Sequence, residues 1–126
     1  GSGIRFKLLL NTLSGIHINA AAQAVMLAKK AGLDPELVGK VWMDDLGPAS
    51  PATNLLLQGM NKGEEHITFA VKWLEKDLRY AKRMAEAYGV DFDLLNDTQE
   101  DYEKAMNEGL SERDWTAIIE LYRKKL

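Results

Sequence analysis

The sequence contains no cysteine, which excludes disulfides, thiolate metal ligands and cysteine nucleophiles. Its three prolines stand at 35, 48 and 51, and alternation of β-branched with polar residues is nearly absent, so there is little from which to build strands. Positive charge is not in excess. Lys and Arg total 16 against 19 Asp and Glu, a net charge of −3, so phosphate neutralisation along DNA or RNA is not expected and no nucleic-acid partner is assigned. Long hydrophobic runs are missing too. Leu8 to Leu10, with Leu13 and Ile16, stops well short of the ~20 residues that cross a bilayer, and no cleavable signal pattern precedes it. A cytoplasmic chain without membrane contact is the expectation. The two histidines, His17 and His66, each lack a second histidine or carboxylate at ligand spacing, so no metal site is predicted.

What is present is the balance of a globular domain: 126 residues, 46% hydrophobic and 28% charged. A chain of this size buries roughly two thirds of the surface its unfolded form exposes, so it can hold one core without staples. Periodicity predicts about six helices and an all-α fold across residues 1–126. The first is long, from about Ile4 to Ala31, with an apolar stripe Leu9, Leu13, Ile16, Ala20, Ala24, Leu27 and Ala31, and Gly32 as its left-handed stop. Asp34-Pro35 reads as N-cap and first helical residue of a second helix that ends near Gly47. A short helix follows from Ser50 or Pro51 to Met60, then the polar turn NKGEEH. A second long helix is predicted from Ile67 to Tyr88, with Val71, Leu74, Leu78, Ala81 and Ala85 on one face and Gly89 closing it. Asp91 or Asp93 starts the next, which Gly109 stops. Ser111 with Asp114 resembles a capping box for a final helix through Trp115, Ile118, Ile119 and Tyr122, whose basic ending suits the helix dipole. Trp42, Trp73 and Trp115 all fall at core-like positions.

One stretch of the first helix invites a chemical reading. At about 100° per residue, Lys7, Asn11 and Ser14 share a polar sector of roughly 60°, beside the leucines. The commoner account is a snorkelling lysine and a surface amide. The sharper one is an acid/base lysine, made easier to deprotonate by desolvation among leucines, with an asparagine holding the group it works on. Lys76 and Asp77 near the start of the second long helix are a second candidate, against the commoner solvated ion-pair face. Asp44-Asp45 and Glu64-Glu65 diverge on a helix and make poor paired acids. No serine, histidine and aspartate arrangement suggests a nucleophile.

Four segments in order then resemble the C-terminal helical domain of the β-hydroxyacid dehydrogenase family: GSGIRFKLLLN, QAVMLAKKAGLDPE, Phe69 with KDL at 76 to 78, and Tyr102, Ala105 and Gly109 followed by DWTAI. The resemblance implies a bundle like the C-terminal domain of 6-phosphogluconate dehydrogenase, with its long first helix central and often packed in a homodimer. It implies reversible oxidation of a small 3-hydroxy acid by NAD or NADP. Lys7 matches the catalytic lysine, Asn11 the asparagine that hydrogen-bonds substrate, and Phe69, Lys76 and Asp77 residues on the cofactor side. Gln23 departs from the family's usual glutamate. No strand followed by Gly-x-Gly-x-x-Gly and a helix is present, and Gly1-Ser2-Gly3 lacks the third glycine. The dinucleotide-binding domain is therefore expected to lie outside this chain, which alone should be inactive. The alternative is a noncatalytic all-helical dimerisation module.

Overall fold

The computed structural model describes residues 1–44, 47–59 and 66–123, and their regular structure is helical apart from one isolated antiparallel bridge between Ala70 and Asp114. The order is α1 (Ser2–Lys30), α2 (Pro35–Met43), α3 (Pro51–Gly59), α4 (Val71–Ala87), α5 (Asp93–Asn107), a 3-10 turn at Trp115–Ile118, and α6 (Ile119–Arg123). The core gathers α1, α3, α4, α5 and the C-terminal helical segment around Ile18, Val25, Leu57, Leu74, Leu78, Leu95, Tyr102 and Ile118.

Local chemistry accounts for most boundaries. The Asp34 side chain accepts from the Glu36 N–H, and Pro35 opens α2 where its missing donor costs nothing. Ser50 and Thr53 cap α3 reciprocally: Thr53 N donates to Ser50 Oγ at 3.3 Å, and Ser50 N donates to Thr53 Oγ1 at 2.6 Å. Gly32 and Gly109 follow α1 and α5 with φ of 85° and 89°, a region costly for residues with a Cβ.

Several expectations need correction. The second long helix begins at Val71 rather than Ile67, because Thr68 N and Phe69 N donate to the Asp114 carboxylate and Trp115 N donates to Phe69 O. Residues 67–70 are held outside the helix by those bonds, which a helix would forfeit. For the same reason the final cap is Asp114, not Ser111: Asp114 also accepts from Thr116 N, and the Ser111 carbonyl accepts from Lys72 N instead. Trp73 is exposed rather than in the core, since it projects from the side of α4 opposite Val71 and Leu78 and lies against Lys72 and Lys76. The end of α2 comes at Met43, while Asp45, Met60, the polar turn over 61–65 and the basic ending at Lys124 and Lys125 lie outside the described residues.

The apolar stripe of α1 is also not the face that packs. Buried residues are Thr12, Gly15, Ile16, Ile18, Asn19, Ala21, Ala22, Val25, Met26 and Ala28, whereas Leu9, Leu13 and Leu27 are 46%, 52% and 71% exposed. α1 is thus apolar nearly all round. Ile4, Phe6 and Leu10 join the exposed set, so its first three turns carry a bare hydrophobic surface beside the polar residues Lys7 and Asn11. Such a helix suits burial by something further.

Candidate functional site

The site is set by a close crossing of α1 and α4. Gly15 has no side chain, and a Cβ there would come within 3.0 Å of Leu74 Cδ2, so any larger residue must push the Leu74 side chain aside. Asn11 stands one turn before Gly15, and Asp77 one turn after Leu74. Asn11 Nδ2 accordingly reaches Asp77 Oδ2 at 3.0 Å, both side chains being half-buried. An ionised acceptor makes this stronger than a neutral pair, and it orients the amide: with one Nδ2 hydrogen on the carboxylate, the other is left as a donor and Oδ1 as an acceptor.

Lys7 lies a further turn toward the N-terminus on the same helix side, where i and i+4 residues are neighbours with Cβ atoms about 5–6 Å apart. It is exposed, as are Leu9 and Leu10, so the adjacent leucines do not desolvate it within this chain. Lys76 lies along α4, its Nζ 5.7 Å from the ring centres of both Trp73 and Tyr80. Phe69 packs edge-on against Trp115 at 5.3 Å while its backbone is tied to Asp114 and Trp115. The structure therefore brings together Asn11 and Asp77, with Lys7 one turn away. Among the described residues no side-chain hydrogen bond, ion pair or ring contact joins that group to Phe69 or Lys76.

Two features were missed in the sequence. Gly15 was detectable as a glycine inside a helical pattern, which signals close packing. His17, read as solitary, has its Nδ1 3.0 Å from Ser50 Oγ, 33 positions on, and no local spacing reveals this. Gln23 Nε2 contacts Asn19 Oδ1 and the Tyr122 hydroxyl, in a cluster where Tyr122 donates to Asn19 and Asn19 donates to Asp101. Burial raises the Tyr122 phenol above its ordinary pKa, and the nearby Asp101 charge raises it further. Among the described residues there is no metal-ligating cluster, no strand-turn-helix unit for a pyrophosphate, and no helix long and apolar enough to cross a membrane.

Comparison with known proteins gives a consistent family. Residues 1–122 match the family described as NAD-binding of NADP-dependent 3-hydroxyisobutyrate dehydrogenase. Glyoxylate/succinic semialdehyde reductase 1 of Arabidopsis thaliana is 31% identical over 124 residues, covering 95% of this chain and 41% of that protein. The 3-sulfolactaldehyde reductase of Escherichia coli (strain K12) is 30% identical over 124 residues, covering 98% of this chain and 41% of the relative. The crystal structure of 3-hydroxyisobutyrate dehydrogenase from Salmonella typhimurium superposes with a TM-score of 0.85 at 27% identity, over 93% of this chain and 41% of that one. The chain spans about two fifths of the length of these relatives.

Proposed function

This chain belongs to the β-hydroxyacid dehydrogenase family, and from that premise we propose that it is the catalytic-lysine and substrate-binding half of a cytoplasmic NAD(P)-dependent 3-hydroxy acid dehydrogenase. The observation that carries this reading is the Asn11–Asp77 hydrogen bond, because it joins the first and third family-like segments, 66 positions apart in sequence, on one edge of the bundle. The family name and the reductase names of the relatives supply the reaction class.

In this mechanism the second Nδ2 hydrogen of Asn11, the first being held by Asp77, is donated to the substrate hydroxyl oxygen and turns the hydroxyl proton toward Lys7. Lys7 Nζ takes that hydroxyl proton during oxidation and returns it during reduction. A bound nicotinamide, as NAD or NADP, supplies hydride acceptance and donation. Phe69, Lys76 and Asp77 are the residues of this chain proposed to border its side of the site, and the described residues fit only that border. A nucleotide-binding domain beyond this chain seats the cofactor and, by covering the exposed leucines of α1, also desolvates Lys7. Alone, the chain is inactive.

The test is to supply such a domain, fused ahead of Gly1 or added as a separate chain, and to follow NAD(P)H absorbance with small 3-hydroxy acids. Asn11→Ala should then lower kcat/KM by about 10–100-fold through lost orientation. Asp77→Asn, which removes the charged acceptor, should lower it as well. Activity that is indifferent to both changes contradicts the proposal.

A second reading has its own observation in favour: the bare apolar surface of α1, with Phe6, Leu10 and Leu13 at 78%, 65% and 52% exposure. On it the domain is a dimerisation module, which requires no catalysis. It predicts a homodimer that Leu10→Arg dissociates and Lys7→Ala leaves intact; a monomer at every concentration in light scattering counts against it. A catalytic half that also dimerises satisfies both readings.

A further inference from the structure

A second concavity lies on another side of α1. His17 is about 9 Å along the helix axis from Asn11 and about 240° around it, so this space is separate from the Asn11–Asp77 edge. It is a cavity of about 280 Å³ between α1, α2 and α3. Its floor is Ala20, Ala21 and Ala24 of α1, where longer side chains would fill it, and its walls include Trp42 and Leu57. Beside it, Gly47 passes so near Trp42 that a Cβ would lie 2.2 Å from the Trp42 carbonyl oxygen, and Ala49 N donates to that oxygen at 3.1 Å. The volume exceeds the roughly 150 Å³ of a dry apolar cavity that admits benzene.

The polar groups at its rim are already mutually assigned except for one. Ser50 Oγ accepts from Thr53 N, and the Thr53 hydroxyl donates to Ser50 O at 2.9 Å. Ser50 Oγ lies 3.0 Å from His17 Nδ1 and 3.4 Å from Thr53 Oγ1, so the nearer acceptor for its proton is Nδ1. With Ser50 Oγ donating to Nδ1, His17 carries its proton on Nε2, and the His17→Phe variant below tests that arrangement. That N–H has no hydrogen-bond partner recorded among the described residues.

From the cavity and this spare donor we infer that the space between α1, α2 and α3 binds a small molecule with an aromatic or branched apolar body and one acceptor oxygen. The body packs on Trp42, Leu57 and the alanine floor, and the oxygen accepts from His17 Nε2.

The probes are acetophenone, which has a ring and one acceptor, and ethylbenzene, which has nearly the same shape without it. Alanine-methyl NMR of the full chain reads occupancy directly at Ala20, Ala21 and Ala24. Acetophenone is expected to shift these methyls saturably and to bind at least tenfold more tightly than ethylbenzene. His17→Phe should remove that preference while ring binding persists. Ala24→Trp, at an exposed position that tolerates bulk, should abolish both, and Lys7→Ala should change neither, which separates this site from the proposed catalytic one. The inference is overturned if neither probe saturates, if both bind equally to the parent chain, if Ala24→Trp binds like the parent, or if the methyls shift with protein concentration alone because a second copy fills the space.

Discussion

Replacing Gly15 with valine tests the crossing on which the site is built. A Cβ at position 15 lies 3.0 Å from Leu74 Cδ2 and 3.2 Å from Cδ1, inside the 3.5–4.0 Å preferred between carbons, and Leu74 is fully buried. Overpacking of this kind costs about 1–3 kcal/mol, and valine's better helix propensity returns only a few tenths. The net expectation is a loss of about 2 kcal/mol, which for a domain of this size lowers Tm by about 6–10 °C. Leu74→Ala alone should cost about 2–5 kcal/mol by leaving a cavity. Combined, each change relieves the other, so the double variant should be more stable than the sum predicts by about 1–2 kcal/mol. Urea denaturation of the four proteins measures this, and the Asn11 side-chain amide resonances report whether the 3.0 Å bond to Asp77 opens as the helices part. Additivity within about 0.5 kcal/mol, or a Gly15→Val chain as stable as the parent, refutes the close-contact argument.

Asp114→Ala removes a buried carboxylate that accepts from Thr68, Phe69 and Thr116; a loss of about 3–5 kcal/mol is expected, with Asp114→Asn milder, and calorimetry showing the two variants alike would contradict it. Tyr102 and Tyr122 have phenols raised above the ordinary value of ~10, chiefly by burial, so above pH ~10 the unfolded chain loses protons that the native one keeps. Stability should be unaffected by these groups below that pH and fall above it, by up to about 1.4 kcal/mol per pH unit for each tyrosine; denaturant midpoints for Tyr122→Phe should decline less steeply. Tyr102→Phe also deletes the 2.8 Å bond to the Trp115 carbonyl and should cost about 1–2 kcal/mol at neutral pH, read from the same midpoints.

Helix number and order were legible in the sequence because caps and stops are local: Asp34-Pro35, Gly32 and Gly109 act within one turn. What escaped was non-local. The start of α4 is set by Asp114, 43 or more positions away, and no periodicity at Ile67 could report it. The choice of packed face on α1 escaped for another reason. A helix apolar on both sides carries no internal sign of which side meets this core, and small residues such as Gly15 and Ala22 won over Leu9 and Leu13 because they allow closer approach. The Lys7 and Asn11 spacing did place both on one side of one helix, but their partner Asp77 came from resemblance, and its contact with Asn11 from the structure.

The most direct measurement is the turnover of a small 3-hydroxy acid with NAD or NADP by this chain joined to a nucleotide-binding domain, parent against Lys7→Ala. Proton transfer by Lys7 predicts a kcat fall of about 10²–10⁴-fold in the variant with its Tm unchanged, as suits an exposed side chain. Equal kcat in the two proteins contradicts the account.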